Sequence, residues 1–253
     1  KISKKTRAII PVHLYGHCCD MEKLIKICKE KKLHLVEDAA QAIYSTYQNK
    51  FLGTIGVLGG FSFYGNKIIT TGEGGLILTN SSKLRNKIYE IKNHGRLKKG
   101  VFIHEEIGYN FMFTEMQAAI GNIQVKKLKK ILKRKKEIFE TYKKGLAKIK
   151  SISFMKNLPK NKPVHWFSNI FTKDKFLLKK FLEKNKIQTR DIFLPLNLQP
   201  CYRKYKVIKN IKDKFPISNK IFKTGLSLPS SYSLKNSEIK LIIKKIKEFY
   251  LNR

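Results

Sequence analysis

Gly60-Phe61-Ser62-Phe63-Tyr64-Gly65-Asn66-Lys67, followed by Ile68-Ile69-Thr70-Thr71-Gly72-Glu73-Gly74-Gly75, is the stretch whose reading decides the fold. A short apolar run ends on one lysine and gives way to a loop of hydroxyls and glycines, the pattern of a strand end that delivers a side chain into a pocket. A partly desolvated lysine gives up its proton readily and can condense with a carbonyl, above all the aldehyde of pyridoxal phosphate. In a chain with 54 Lys and Arg the ordinary fate of a lysine is a solvated surface charge. Lys67 is set apart by its company, above all Glu37-Asp38-Ala39-Ala40-Gln41 upstream.

Working outward, Ala8 to His13 reads as a buried strand and Leu14-Tyr15-Gly16 as the turn leaving it. Asp20 sits at a helix N-cap, Leu24, Ile25, Ile27 and Cys28 form the apolar side of a helix ending near Lys32, and Leu33 to Glu37 is a second strand. Strand, helix and strand at this spacing make a parallel crossover, and ligands of open α/β sheets gather beyond the carboxyl ends of the strands, where Asp38 stands. Residues 44–58 read as a short β excursion turning at Gln48-Asn49-Lys50, with further strands at Gly59 to Tyr64 and Leu76 to Thr79 and a helix from Ser81 or Ser82 to about Asn93. Thr114-Glu115-Met116-Gln117 is a capping box opening a long helix with Met116, Ile120, Ile123, Leu128, Ile131, Leu132 and Phe139 on its apolar side. Near Ser151 the character changes: short strands at 152–154, 164–171 and 187–194, a helix at 173–184 and a closing amphipathic helix at 235–250 suggest a smaller α+β domain. The expected division is 1–148, a large α/β domain with a mostly parallel sheet and the long connecting helix, and 149–253.

A net charge of +36 would ordinarily point to nucleic acid or an anionic membrane surface. The lysines are spread through nearly every amphipathic segment rather than clustered, which disfavours nucleic acid. No apolar run approaches the ~20 residues of a membrane span, so no membrane partner is expected. Cys18, Cys19, Cys28 and Cys201 show no metal spacing, and reduced thiols in a cytoplasmic protein are the default. The chain enters at Lys1-Ile2-Ser3 almost directly into a strand, and we expect its beginning to lie upstream.

A pyridoxal phosphate site needs a carboxylate against the ring nitrogen, which Asp38 can supply. Ala40 is small enough for a flat ring to rest against, Gln41 can hydrogen-bond the ring's phenolic oxygen, and Ser62 with the Gly72-Glu73-Gly74-Gly75 turn can offer hydroxyl and N–H groups to a phosphate. Singly each signal is weak. Together with Pro11-Val12-His13-Leu14-Tyr15-Gly16, Asn93-His94-Gly95, Gly108-Tyr109-Asn110, Leu194-Pro195-Leu196, Gln199-Pro200-Cys201-Tyr202 and Gly225-Leu226-Ser227-Leu228-Pro229-Ser230, the set resembles the DegT/DnrJ/StrS family of sugar aminotransferases over essentially the whole chain.

That resemblance implies the fold-type I (aspartate aminotransferase-like) architecture, pyridoxal 5′-phosphate as cofactor, and a homodimer that shares its active sites across the interface. By it Lys67 is the lysine that forms the Schiff base, Asp38 the partner of the pyridinium nitrogen, Gln41 a contact to the ring oxygen and Ser62 a contact to the phosphate. Asn110 would reach the phosphate of the neighbouring subunit's cofactor. The run from Gly65 to Gly75 looks most like the perosamine-forming 4-aminotransferases, which implies a nucleotide-linked 4-keto-6-deoxy sugar as substrate, glutamate as amino donor and a place in making amino sugars for surface polysaccharide such as O-antigen. Related dehydratases carry His where this chain has Lys67, which disfavours deoxygenation. The family's N-terminal part, with a glycine/threonine phosphate turn and an aromatic over the cofactor, has no counterpart here, and Asn197 stands where the family often has His. Two other readings are distinguishable: an inactive truncated homologue would fail to fold or bind cofactor alone, and a cationic nucleic-acid-binding protein would show salt-sensitive retention and no yellow cofactor.

Overall fold

The computed structural model describes residues 2–98, 100–204 and 215–252. The chain forms two compact units, residues 1–133 with 157–166 and residues 134–156 with 167–253. The first carries β1 (Ala8–Ile9), α1 (Met21–Glu30), β2 (His34–Asp38), β3 (Thr46–Tyr47), β4 (Lys50–Phe51), β5 (Leu58–Ser62), β6 (Gly75–Leu78), α2 (Ser82–Lys92) and the beginning of α3 (Glu115–Leu146). Its main sheet has the order β1-β2-β5-β6. β1, β2 and β5 run parallel, the first two as the crossover reading requires, and β6 is antiparallel to β5.

Local chemistry explains the elements. The Asp20 carboxylate accepts from Lys23 N–H and starts α1, and Met21 and Cys28 turn that helix onto a core with Cys18, Leu35, Ala39, Ala42, Tyr47 and Leu52. Ser81 caps α2 through Leu84 N–H. Thr114 and Gln117 cap α3 reciprocally, Oγ1 accepting from Gln117 N–H and Oε1 from Thr114 N–H. The β3–β4 hairpin turns through Gln48 and Asn49, both left-handed at φ 48° and 62°, the two-residue geometry that matches strand twist.

The Asn93-His94-Gly95 and Gly108-Tyr109-Asn110 motifs prove to be one structural unit. His94 N–H donates to Tyr109 O, Tyr109 N–H to Ile91 O and Phe111 N–H to Lys92 O. Backbones approach so closely that a Cβ on Gly95 would stand 1.8 Å from Glu106 O and one on Gly108 2.0 Å from Gly95 N, which no side chain tolerates.

Beyond α3 the chain lays down β7 (Ser153–Phe154), returns to the first unit, where β8 (Asn161–Lys162) pairs antiparallel with β3, and then re-enters the second unit. There follow β9 (Ser168–Phe171), α4 (Lys175–Lys184), β10 (Arg190–Asp191), α5 (Pro200–Lys204), α6 (Pro216–Thr224), β11 (Gly225–Leu228) and α7 (Asn236–Leu251). The second unit is an antiparallel sheet, β10-β11-β9-β7, with helices packed on it, the α+β arrangement expected. Its core joins Ile138, Tyr142 and Leu146 of α3 to Ile170, Leu178, Leu226 and the α7 residues Ile239, Ile242, Ile246 and Phe249, which recur at helical spacing.

Three expectations change. The strand read at 164–171 is confined to Ser168–Phe171, because 157–166 belong to the first unit, and the strand read at 187–194 shortens to Arg190–Asp191. The apolar side of α3 is buried from Ile131 onward, whereas Met116, Ile120 and Ile123 are 78%, 48% and 48% exposed. The domain division expected at 148/149 marks a change of composition, and the compact units are bounded separately, at 133/134 within α3.

Candidate active site

Asp38 and Ser62 stand at the carboxyl ends of the neighbouring parallel strands β2 and β5, whose register sets Asp38 beside Gly60. Asp38 is fixed on both sides of its peptide: its N–H donates to Pro11 O at 2.9 Å and its carbonyl accepts from His13 N–H at 3.0 Å. Its Oδ1 accepts from Ala40 N–H at 3.0 Å, turning the chain away from the sheet. β2 ends there, so this turn sets the place of Ala40. Gln41 Oε1 accepts from Tyr15 N–H at 2.7 Å, which orients the amide with its NH2 as the end that can donate to a ligand oxygen.

Lys67 rides on a loop tied off at its neck. Phe63 N–H donates to Gly74 O and Thr71 N–H to Phe63 O, both at 2.9 Å, and Lys67 N–H closes a turn onto Tyr64 O. Burial pushes the Lys67 amine below the usual lysine range, and the charge of Asp38 opposes that shift. Ser62 is half-buried and its Oγ accepts from Tyr64 N–H at 3.3 Å. The Gly72–Gly75 turn runs through left-handed Gly72 and Gly74, and Gln117 Nε2 holds it by donating to Glu73 O. Asn110 stands elsewhere in the unit, exposed, bridged to Asn93.

Two groups were not anticipated. Trp166, 1% exposed, places its ring 4.2 Å from Lys67 Nζ, donates from Nε1 to Asn66 O at 2.7 Å, and stacks on Tyr15 with centroids 6.0 Å apart. Nothing local in its sequence marks it, since 99 residues separate it from Lys67. Glu37 is the other. Its wholly buried carboxylate accepts from His13 Nε2 at 3.1 Å, Gly53 N–H at 2.8 Å, Ile55 N–H at 2.6 Å and Gly56 N–H at 2.7 Å. His13 Nδ1 accepts from Cys19 N–H, which leaves Nε2 to donate. Burial alone would raise the Glu37 carboxyl, but the His13 bond and the three backbone N–H groups outweigh it and hold the group below its ordinary range. An acid on the Leu35 side of a strand, where alternation demands burial, was the available signal. Asn197 is 6% exposed, with its side-chain nitrogen buried and without a hydrogen-bond partner among the described residues.

These residues suit pyridoxal phosphate: they supply an amine of lowered basicity, a carboxylate whose charge acts on it, an amide donor and a hydroxyl on the strand paired with the glycine turn. A model of the DegT/DnrJ/EryC1/StrS aminotransferase family matches residues 1–247. The chain belongs to this family. It has the family's fold-type I architecture and is a pyridoxal-phosphate-dependent aminotransferase by descent. GDP-perosamine synthase of Escherichia coli O157:H7 is 37% identical over 257 aligned residues, covering 100% of this chain and 68% of that protein, and the enzyme of the same name from Vibrio cholerae is 35% identical, covering 99% and 68%. Among solved structures, S. venezuelae DesV superposes with a TM-score of 0.91 at 30% identity, over 98% of this chain and 66% of that one. The chain thus spans about two thirds of the length of these relatives. Among the described residues no helix is long and apolar enough to cross a membrane.

Proposed function

We propose that this chain transfers an amino group, taken from glutamate, to a nucleotide-linked 4-keto-6-deoxy sugar, in the biosynthesis of amino sugars for surface polysaccharide. The observation that carries the reading is the Lys67–Asp38 pair at the carboxyl edge of a parallel sheet, in a chain 37% identical to a GDP-perosamine synthase. Pyridoxal phosphate, when bound, supplies an electrophilic carbon and an electron sink. Asp38 holds a negative charge for the ring nitrogen, Gln41 presents its NH2 to the ring oxygen, Ala40 gives the ring a flat seat, and Ser62 offers a hydroxyl to the phosphate. Nζ of Lys67, its basicity reduced by burial, takes the proton from the α-carbon of the amino donor and later returns one to the sugar carbon that receives nitrogen.

A homodimer sharing its sites, with Asn110 directed to the partner's phosphate, accords with the exposed apolar residues of the first unit. Phe102, Ile103, Ile107 and Met116 are 79%, 70%, 89% and 78% exposed, large apolar side chains that a partner surface would cover. Synthesis of nucleotide sugars places the reaction in the cytoplasm.

The test is nitrogen transfer from glutamate to a GDP-linked 4-keto-6-deoxy sugar, followed by mass spectrometry. Wild-type protein should give the amino sugar and Lys67→Ala none; turnover surviving in the variant removes Lys67 from the mechanism.

A further inference from the structure

We propose that Trp166 is the positioning residue for Lys67, its ring face seating the ammonium while its Nε1–H anchors the peptide bond that carries it. The inference rests on the aminotransferase reading for its purpose, though not for its geometry.

Three contacts converge on one indole. Lys67 Nζ lies 4.2 Å from the ring centroid, close range for an ammonium over the most electron-rich aromatic face among the side chains. Nε1 donates to Asn66 O at 2.7 Å, so the same ring holds the backbone one residue before the lysine. The two contacts act on opposite ends of a short lever: one fixes where the lysine stem begins, the other where the amine comes to rest. A lysine has four rotatable side-chain bonds, and fixing both ends removes most of the freedom that would otherwise scatter the amine.

The ring itself is held. It is 1% exposed and lies against Tyr15 at an interplanar angle of 28°. Its segment is tied to the first unit by the β3–β8 pairing and by Val164 N–H donating to Ser45 Oγ, which in turn donates to Gly16 O. Tyr15 also donates its N–H to Gln41 Oε1. Lysine, tryptophan, tyrosine and glutamine thus form one chain of contacts from the amine to the amide beside Asp38. An amine held in one place meets an aldehyde productively more often than one that wanders, and a modest misplacement far from the reacting atoms costs up to ~100-fold in rate.

Because the chain contains a single tryptophan, its emission reports this contact without any cofactor. A protonated amine against an indole face quenches that emission. The intact chain, Lys67→Met and Trp166→Phe are compared at neutral pH, with circular dichroism to confirm folding. Pyridoxal phosphate is then the probe of the amine: the nitrogen adds to the aldehyde carbon, water leaves, and borohydride reduces the C=N bond to a secondary amine located by peptide mass spectrometry.

The proposal requires Lys67→Met to be brighter than wild type and Trp166→Phe, which keeps a ring but loses the N–H, to label Lys67 about tenfold more slowly. Equal emission from wild type and Lys67→Met overturns it, as does labelling of Trp166→Phe at the wild-type rate. Should Trp166→Phe not fold, the emission of Lys67→Met still decides, since that substitution leaves the tryptophan and its anchor in place. Absence of any Lys67 label in the wild type, with Lys67→Met still brighter, upholds the ring contact and overturns the aminotransferase reading instead.

Discussion

Glu37 and Asp38 are successive residues at the end of β2 and work on opposite faces of the sheet. Glu37 is buried and gathers four donors from His13 and the 53–56 loop, while Asp38 is half-buried on the side where its charge reaches Lys67. The first acid fixes the strand end from behind, and the second uses that fixity in front.

Glu37→Gln keeps the shape of the side chain but sets an NH2 among groups that donate. Bonds to a charged acceptor contribute about 1.5–3 kcal/mol each and an unsatisfied buried donor costs a similar amount, so the variant should lose roughly 3 kcal/mol in urea unfolding. In the wild type the carboxyl is held below its ordinary value of 4.5. Its stabilisation is therefore complete above that value and lost as pH falls through the lowered one. A variant as stable as wild type at neutral pH would show that the four donors find other partners.

Asp38→Asn should fold, because the amide oxygen can still accept from Ala40 N–H. It removes the charge proposed to face the ring nitrogen, and a loss of about 3 kcal/mol in the transition state lowers the transamination rate roughly a hundredfold. Stopped-flow rates with cofactor content measured in parallel separate this from a binding defect. Full rate in the variant would assign the pyridinium partner to another residue.

His17 is half-buried, and desolvation of its ring lowers it from 6.5 to about 4. Between those values the unfolded chain binds a proton that the folded chain refuses, so stability drops as pH falls from 6.5 to about 4. Melting temperatures of wild type and His17→Gln across this range should converge on acidification, the variant lacking this slope. Parallel curves would place the lost protons elsewhere.

Ile107, 89% exposed, tests the interface between copies. Ile107→Glu should keep the wild-type circular dichroism spectrum, since surface substitutions ordinarily cost the protomer no more than about 0.5 kcal/mol, while light scattering shows the proposed dimer giving way to monomer. A dimer of unchanged mass would remove this face from the interface.

How much of this was legible in the sequence follows from the range of the interactions. Asp20, Ser81 and Thr114 announce their helices because a cap bonds three residues ahead, within the reach of a motif. Lys67 and Asp38 stood out in the sequence because the cofactor's chemistry demands an amine and a carboxylate, and the strands before them could be read from apolar runs. Trp166 could not be found this way: its contact with Asn66 depends on where the segment after β7 returns, which no local pattern encodes. The exposed half of α3 misled for a related reason, since periodicity marks an apolar side without saying what lies against it.

The return of residues 157–166 to the first unit makes that unit discontinuous in the chain. Anyone seeking to express the lysine-bearing half by itself cannot do so with one pair of scissors. Ending the gene after residue 133 discards the indole beneath Lys67 and the strand that closes the β3–β4 hairpin into a sheet, so a minimal version must splice that excursion back on or supply it as a separate peptide.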